Sequence, residues 1–304
     1  MVCWLTRIWA KFGADNAVAR NVLPQMAGWP DSSPLPVNAK RIAARFQSLS
    51  AQNQSGFVAY ITAGDPSPKA TLDILKELDA AGVDIIELGI PFSDPLADGP
   101  TIQAAAGRAL AAGMTVAGTL ELIREFRKES EVPVVLFTYL NPIYVYGFER
   151  FLTDAVAAGA DGLLILDLPP DEAAQNKELL AKGGLDTIRL IAPTTPIERI
   201  EQIANGAEGF IYYVSREGVT GEQTTLSDTI SAQVAEIKRY TELPVAVGFG
   251  ISTPEQAAEV ARQAEAVVVG SAIVRRIAEN GSDPELAARV GEFVRPLVQA
   301  VKTR

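Results

Sequence analysis

Two carboxylates stand where a carboxylate is costly to place. Glu87 interrupts the apolar run Asp84-Ile-Ile-Glu-Leu-Gly-Ile90, and Asp98 lies near the end of the loop that follows, Pro91-Phe-Ser-Asp-Pro-Leu-Ala-Asp-Gly-Pro100. A carboxyl group carried into apolar surroundings loses hydration. Its pKa then rises toward neutrality, and it becomes a usable proton donor and acceptor. A second, ionised carboxylate beside it can hold a positive charge that develops on a substrate. Each residue also has a plain structural reading, Glu87 as a buried glutamate paired inside the fold and Asp98 as a turn or capping residue. The loop itself also carries Asp94, and its prolines Pro91, Pro95 and Pro100 give it the shape of a functional loop rather than a slack connection.

Other chemistries are removed by composition. The chain has 304 residues and no histidine, so neither a Ser-His-Asp or Cys-His centre nor an imidazole-ligated metal can be built. Cys3 is the single cysteine, which rules out an intramolecular disulfide. The nine lysines (11, 40, 69, 76, 128, 177, 182, 238 and 302) fall in the first segment, in helical stretches or near helix starts. None ends a β-rich run, where a Schiff-base lysine would be wanted. The net charge of −10 opposes a nucleic-acid surface, and the longest apolar runs fall short of a membrane span. An anionic small substrate remains possible if backbone amides hold it. Gly248-Phe-Gly-Ile-Ser252 and Gly270-Ser-Ala272 offer two glycine turns, each entering a helix, and converging N–H groups at a helix start are a ready phosphate site. Gly250 and Gly270 could instead only permit tight turns; two such turns at these places favour phosphate.

These residues must be positioned by a repeating frame. β-rich runs cover Phe57–Thr62, Val83–Ile90, Val132–Tyr139, Gly162–Leu168, Thr187–Ala192, Gly209–Ser215, Pro244–Gly250 and Ala266–Gly270. Helical patterns alternate with them: Pro68–Ala81, Thr101–Ala112, Thr115–Lys128, Glu149–Ala158, Asp171–Lys182, Pro196–Ala204, Leu226–Tyr240 and Pro254–Gln263, with a last one over Pro284–Val301. Several runs are apolar throughout, as parallel strands buried on both faces are. Eight such units predict a single-domain α/β fold, a (β/α)8 TIM barrel over residues 39–304, with a lead-in helix at Ile42, Phe46 and Leu49. A doubly wound sheet is the alternative, but it usually has fewer strands and no Gly-x-Gly-x-x-Gly follows the first run. In a barrel the chemistry sits at the C-terminal strand ends, where Glu87, Asp98 and both glycine turns fall.

Residues 1–38 differ from the rest and hold all three tryptophans, Trp4, Trp9 and Trp29. The favoured reading is a poorly ordered extension, or a start codon assigned too early. A plastid transit peptide is opposed by scarce serine and by Asp15 and Asp31. A membrane-surface anchor is opposed by the marginal binding of one short basic helix. A cytoplasmic location is expected.

The string Glu87-Leu-Gly-Ile-Pro-Phe-Ser-Asp-Pro-Leu-Ala-Asp-Gly-Pro-Thr-Ile-Gln103 resembles the tryptophan synthase alpha chain family. Ile61-Thr-Ala-Gly-Asp-Pro66, Tyr139-Leu-Asn-Pro142, Ser215-Arg-Glu-Gly-Val-Thr-Gly221 and Gly248-Phe-Gly-Ile-Ser252 support it, over roughly residue 40 to the C-terminus. The resemblance implies retro-aldol cleavage of indole-3-glycerol phosphate to indole and glyceraldehyde 3-phosphate, a step of tryptophan biosynthesis. It makes Glu87 the general acid–base and Asp98 the carboxylate facing the indole nitrogen. It places the indole among Tyr60, Leu164 and Leu166, with Tyr139 and Tyr212 at the pocket and its rim. It assigns the phosphate to Gly221, Gly250, Gly270 and Ser271, and loop closure near Asp98 to Thr220. No cofactor or metal is implied in this chain. A pyridoxal-phosphate beta chain is implied as partner in an alpha2-beta2 heterotetramer, coupled through the loops Pro91–Asp98 and Arg216–Thr225. A free-standing lyase without a beta partner and a non-catalytic subunit that only activates one stay open, as does another phosphate-binding barrel, against which the Glu87–Asp98 string argues.

Overall fold

The structure is a computed structural model describing residues 40–175, 183–214, 226–248 and 250–303, together with Leu180. The expectations for residues 1–38, for the remainder of the helix read to Lys182, and for the loop holding Thr220 and Gly221 lie outside the described residues.

The strands are β1 (Gly56–Thr62), β2 (Ile85–Gly89), β3 (Val134–Thr138), β4 (Gly162–Ile165), β5 (Asp186–Thr187), β6 (Arg189–Ile191), β7 (Ile211–Val214), β8 (Val245–Gly248) and β9 (Ala266–Val269). They form one sheet in the order β5-β4-β3-β2-β1-β9-β8-β7-β6, and every pairing is parallel. The fifth run is thus two short strands with Ile188 between them. Its first half pairs with β4, its second with β7, and the Ile188 N–H still donates to Leu163 O at 3.0 Å. The two ends of the strand order are therefore one residue apart in the chain. That closes the sheet into a (β/α)8 barrel and excludes the open doubly wound alternative.

The helices are α1 (Arg41–Ala51), α2 (Pro68–Ala80), α3 (Pro100–Ala111), α4 (Val116–Phe126), α5 (Leu140–Tyr146), α6 (Phe148–Ala158), α7 (Pro170–Gln175), α8 (Ile197–Asn205), α9 (Leu226–Ile237), α10 (Pro254–Ala261), α11 (Ser271–Glu279) and α12 (Leu286–Lys302). Several start on polar caps: Ser67 accepts from Ala70 N, Thr115 from Gly118 N, and Thr253 forms a reciprocal capping box with Gln256. The sequence pattern predicts no helix between Tyr139 and Glu149, yet the short helix α5 forms there. It begins directly after Tyr139, where the Asp167 carboxylate accepts the Leu140 N–H at 2.7 Å and Pro142 sits in the first turn, where its missing N–H costs nothing.

Outward-facing strand residues pack under the helices, and inward-facing ones form a second core inside the barrel. Helix α1 stops the N-terminal end. Ile42, Phe46 and Leu49 are buried there, with the Phe46 ring 5.9 Å from that of Phe210, and each such side chain contributes roughly 2 kcal/mol. Arg41 fastens the plug to Asp161 at 3.0 Å, and Arg127 meets the same carboxylate at 2.6 Å.

Candidate active site

Parallel register sets the height of each inward side chain. Tyr60 of β1 lies opposite Glu87 of β2, and Glu87 lies opposite Val135 of β3. Because strand side chains alternate, Thr62, Gly89 and Phe137 form the next layer toward the mouth. Gly89 is required there, since a Cβ at that position would collide with the Tyr60 hydroxyl, and a Cβ at Gly248 would lie 2.7 Å from the hydroxyl of Tyr212. The two tyrosine rings thus fill space that two glycines leave. The Tyr60 ring meets Phe137 edge-on at 5.0 Å, and its hydroxyl is 3.4 Å from Thr62 Oγ1.

Glu87 is fully buried, and neither carboxylate oxygen has a hydrogen-bond partner among the described residues. Burial pushes its pKa up to about 8. At neutral pH the group is therefore a carboxylic acid able to give a proton and to take one back. Among the described residues, Glu87 is not the paired glutamate of the plain structural reading.

Asp98 is half-buried on the β2–α3 loop. Burial raises its pKa to about 6, against the opposing pull of a hydrogen bond from Tyr139. The Tyr139 hydroxyl donates to Asp98 Oδ2 at 3.0 Å and accepts the Ala97 N–H at 3.0 Å. The loop is fastened further by the Asp98 N–H on Pro95 O at 3.0 Å and by Gln103 Nε2 on Asp98 O at 2.9 Å. Tyr60, Phe92, Asp98, Ile102, Phe137 and Tyr139 line one cavity. Leu164 is buried on β4 within the same interior cluster as Tyr60, with Leu166 and Tyr212 packed against it. The residues named for an indole pocket are therefore gathered inside one barrel mouth. Phe92, Ile102 and Phe137 were missed, although two-residue alternation from Val135 points to Phe137.

The two glycine turns differ. Gly250 has φ +65° and an open position beside it, but the helix after it, α10, is already capped by Thr253 and Gln256. Helix α11 starts at Ser271 on Gly270, with no side-chain cap. Its first amides therefore receive no side-chain cap. Gly270 also comes close to the indole-pocket wall, since a Cβ there would lie 3.3 Å from Tyr60 Cβ. Thr220 and Gly221 lie outside the described residues. Among the described residues no group of three acidic or thiol side chains could hold a metal, and no helix is long and apolar enough to cross a membrane.

The family model described as tryptophan synthase alpha chain matches residues 46–302. The alpha chain of Citrifermentans bemidjiense is 51% identical over 261 residues, covering 86% of this chain and 97% of that one. The alpha chain of Geotalea uraniireducens is 49% identical over 262 residues, covering 86% and 98%. Among solved structures, tryptophan synthase subunit alpha from Legionella pneumophila superposes with a TM-score of 0.79 at 41% identity, covering 86% of this chain and 98% of that one. Tryptophan synthase from M. tuberculosis gives 0.77 at 33%, covering 87% and 100%. With nearly the whole of each relative matched on a closed barrel that carries a buried acid at its mouth, this chain belongs to the tryptophan synthase alpha chain family.

Proposed function

We propose that this chain cleaves indole-3-glycerol phosphate to indole and glyceraldehyde 3-phosphate by a retro-aldol reaction. The observation that carries the assignment is Glu87, a fully buried carboxylic acid with no partner among the described residues, beneath the mouth that Asp98 edges. Protonated Glu87 delivers its proton to indole C3, which makes the ring an iminium and an electron sink. The Glu87 carboxylate then takes the proton of the C3′ hydroxyl. The C3–C3′ bond breaks, its electron pair restores the indole ring, and the C3′ oxygen becomes the aldehyde. Glu87 ends protonated as it began, so the proton balance closes on one side chain. Asp98, ionised above about pH 6, holds the charge that builds at the ring nitrogen. Tyr60, Leu164 and Leu166 form the apolar bed for the ring, with Tyr139 and Tyr212 bordering it. No cofactor belongs to this chain, because the electron sink is the substrate's own ring.

The phosphate is held by backbone amides at Gly270 and Ser271, with Gly250 on the turn after β8. A substitution that adds charge there checks this. Ser271→Asp places a carboxylate against the phosphate, and KM should rise by at least ~30-fold with kcat little changed; an unchanged KM would put the phosphate elsewhere.

The family works with a beta chain, and exposed apolar side chains on the rim support a docking face for one. Leu96, Tyr144 and Val145 are 90%, 75% and 77% exposed on the rim segments that bear Asp98 and follow Tyr139. We infer that a beta chain carrying pyridoxal phosphate covers this rim in an alpha2-beta2 assembly and receives the indole.

Indole release from indole-3-glycerol phosphate, followed with and without added beta chain, tests the function. The rate should rise on beta addition. The pH profile should be bell-shaped, with an acid limb near 6 from Asp98, needed ionised, and a basic limb near 8 from Glu87, needed protonated. No indole under either condition would overturn the assignment.

A further inference from the structure

The family resemblance puts Tyr139 at the indole pocket and its rim. Its hydroxyl does something else. It is engaged twice, donating to Asp98 Oδ2 and accepting from Ala97 N, both at 3.0 Å. Both contacts are to the loop after β2, although Tyr139 itself directly follows β3. The ring is braced by Phe92 of that same loop, at 5.4 Å between centroids. Below it, the backbone is held by the turn into α5, where Asp167 accepts the Leu140 N–H. The hydroxyl is thus a fixed post, anchored on the strand frame, to which the catalytic loop is tied by one carboxylate oxygen and one amide.

We infer that Tyr139 is a positioning residue for the alpha reaction, whose hydroxyl orients the Asp98 carboxylate toward the substrate nitrogen and keeps it ionised. The inference rests on the proposed function and goes beyond it, since it gives the hydroxyl a role toward Asp98 in addition to the ring's place at the border of the indole pocket. A donated hydrogen bond satisfies one carboxylate oxygen and leaves Oδ1 free for the ring N–H. The same bond favours the charged form of a group that burial pushes toward neutrality. Among the described residues, the other titratable groups facing Asp98 are the hydroxyls of Tyr60 and Tyr212, both raised far above their ordinary values by burial and therefore neutral. No cation is paired with Asp98 among the described residues, so the Tyr139 donor is the charge-favouring contact the site shows.

Tyr139→Phe keeps the ring, the Phe92 contact and the cavity wall, and removes only the hydroxyl. The acid limb of kcat/KM should move up by about half a pH unit or more, while the basic limb set by Glu87 stays in place. At pH 6.5, kcat should fall about tenfold, with KM changed less than twofold. In an Asp98→Asn background the same substitution should cost little more, because the carboxylate it serves is gone. An independent reading needs no turnover: carbon-13 NMR titration of aspartate side chains should show the Asp98 carboxyl titrating higher in Tyr139→Phe than in the parent. An unshifted Asp98 titration, or a rate loss equal at every pH, would overturn the inference. If the NMR shift is found while the parent releases no indole, the proposed function fails and the Tyr139–Asp98 coupling stands.

Discussion

Glu87→Gln should fold, bind phosphate ligands and release indole about a thousandfold more slowly than the parent. The amide has the shape of the carboxylic acid and cannot shuttle a proton, and loss of a general acid–base group costs on the order of 10²–10⁴ in rate. Because one side chain serves both the C3 and the hydroxyl proton, the loss should lie toward the high end. The substitution has a second, opposite effect. The folded carboxyl titrates near 8 against an ordinary value of 4.5. Below pH 4.5 both states are protonated, and the site's contribution to stability is fully present. Above it the unfolded chain gives up its proton and the folded one does not, so stability is lost as pH rises and levels off above about 8. At pH 7 the cost is on the order of 3 kcal/mol. Glu87→Gln removes it, so the variant should melt several degrees above the parent at pH 7 and alongside it near pH 4.5. A melting difference that does not change with pH, or near-parental indole release, would contradict the role given to Glu87.

That trade of stability for chemistry explains why this residue was legible before any fold was known. A carboxylate in the middle of Ile85-Ile-Glu-Leu-Gly89 contradicts its neighbours, and a residue that breaks a local rule without a partner is a place to look for function. The barrel was legible for the opposite reason. Runs such as Ala266-Val-Val-Val269 agree with burial on both faces, and Ser67, Thr115 and Thr253 mark helix starts by caps that the structure uses. What stayed hidden depends on partners distant in the chain. The split of the fifth strand at Ile188 arises because its halves pair with different neighbours, β4 and β7. Helix α5 depends on Asp167, which accepts the Leu140 N–H from the far side of β4. The tie between Tyr139 and Asp98 joins two loops 41 positions apart. Nothing in the spacing of Gly250 and Gly270 shows that only the helix after Gly270 lacks a side-chain cap.

Asp98→Asn should lower kcat by about a hundredfold to a thousandfold and leave KM within about threefold. The asparagine oxygen can still accept from Tyr139, and the main-chain ties to Pro95 and Gln103 do not involve the side chain, so the loop keeps its path. What is lost is a full negative charge beside the ring nitrogen. In the bound substrate that nitrogen is neutral, and it becomes cationic only once C3 is protonated. The carboxylate therefore acts on the transition state far more than on the ground state, which is why the loss belongs in kcat. The two carboxyls also define opposite limbs of the pH profile. In Asp98→Asn the acid limb near 6 should vanish while the basic limb near 8, owed to Glu87, remains. In a site where Asp98 served only to cap or shape its loop, the same substitution would leave both limbs and most of kcat intact. A profile measured between pH 5 and 9 on the variant separates the two cases, and a surviving acid limb would remove Asp98 from the chemistry.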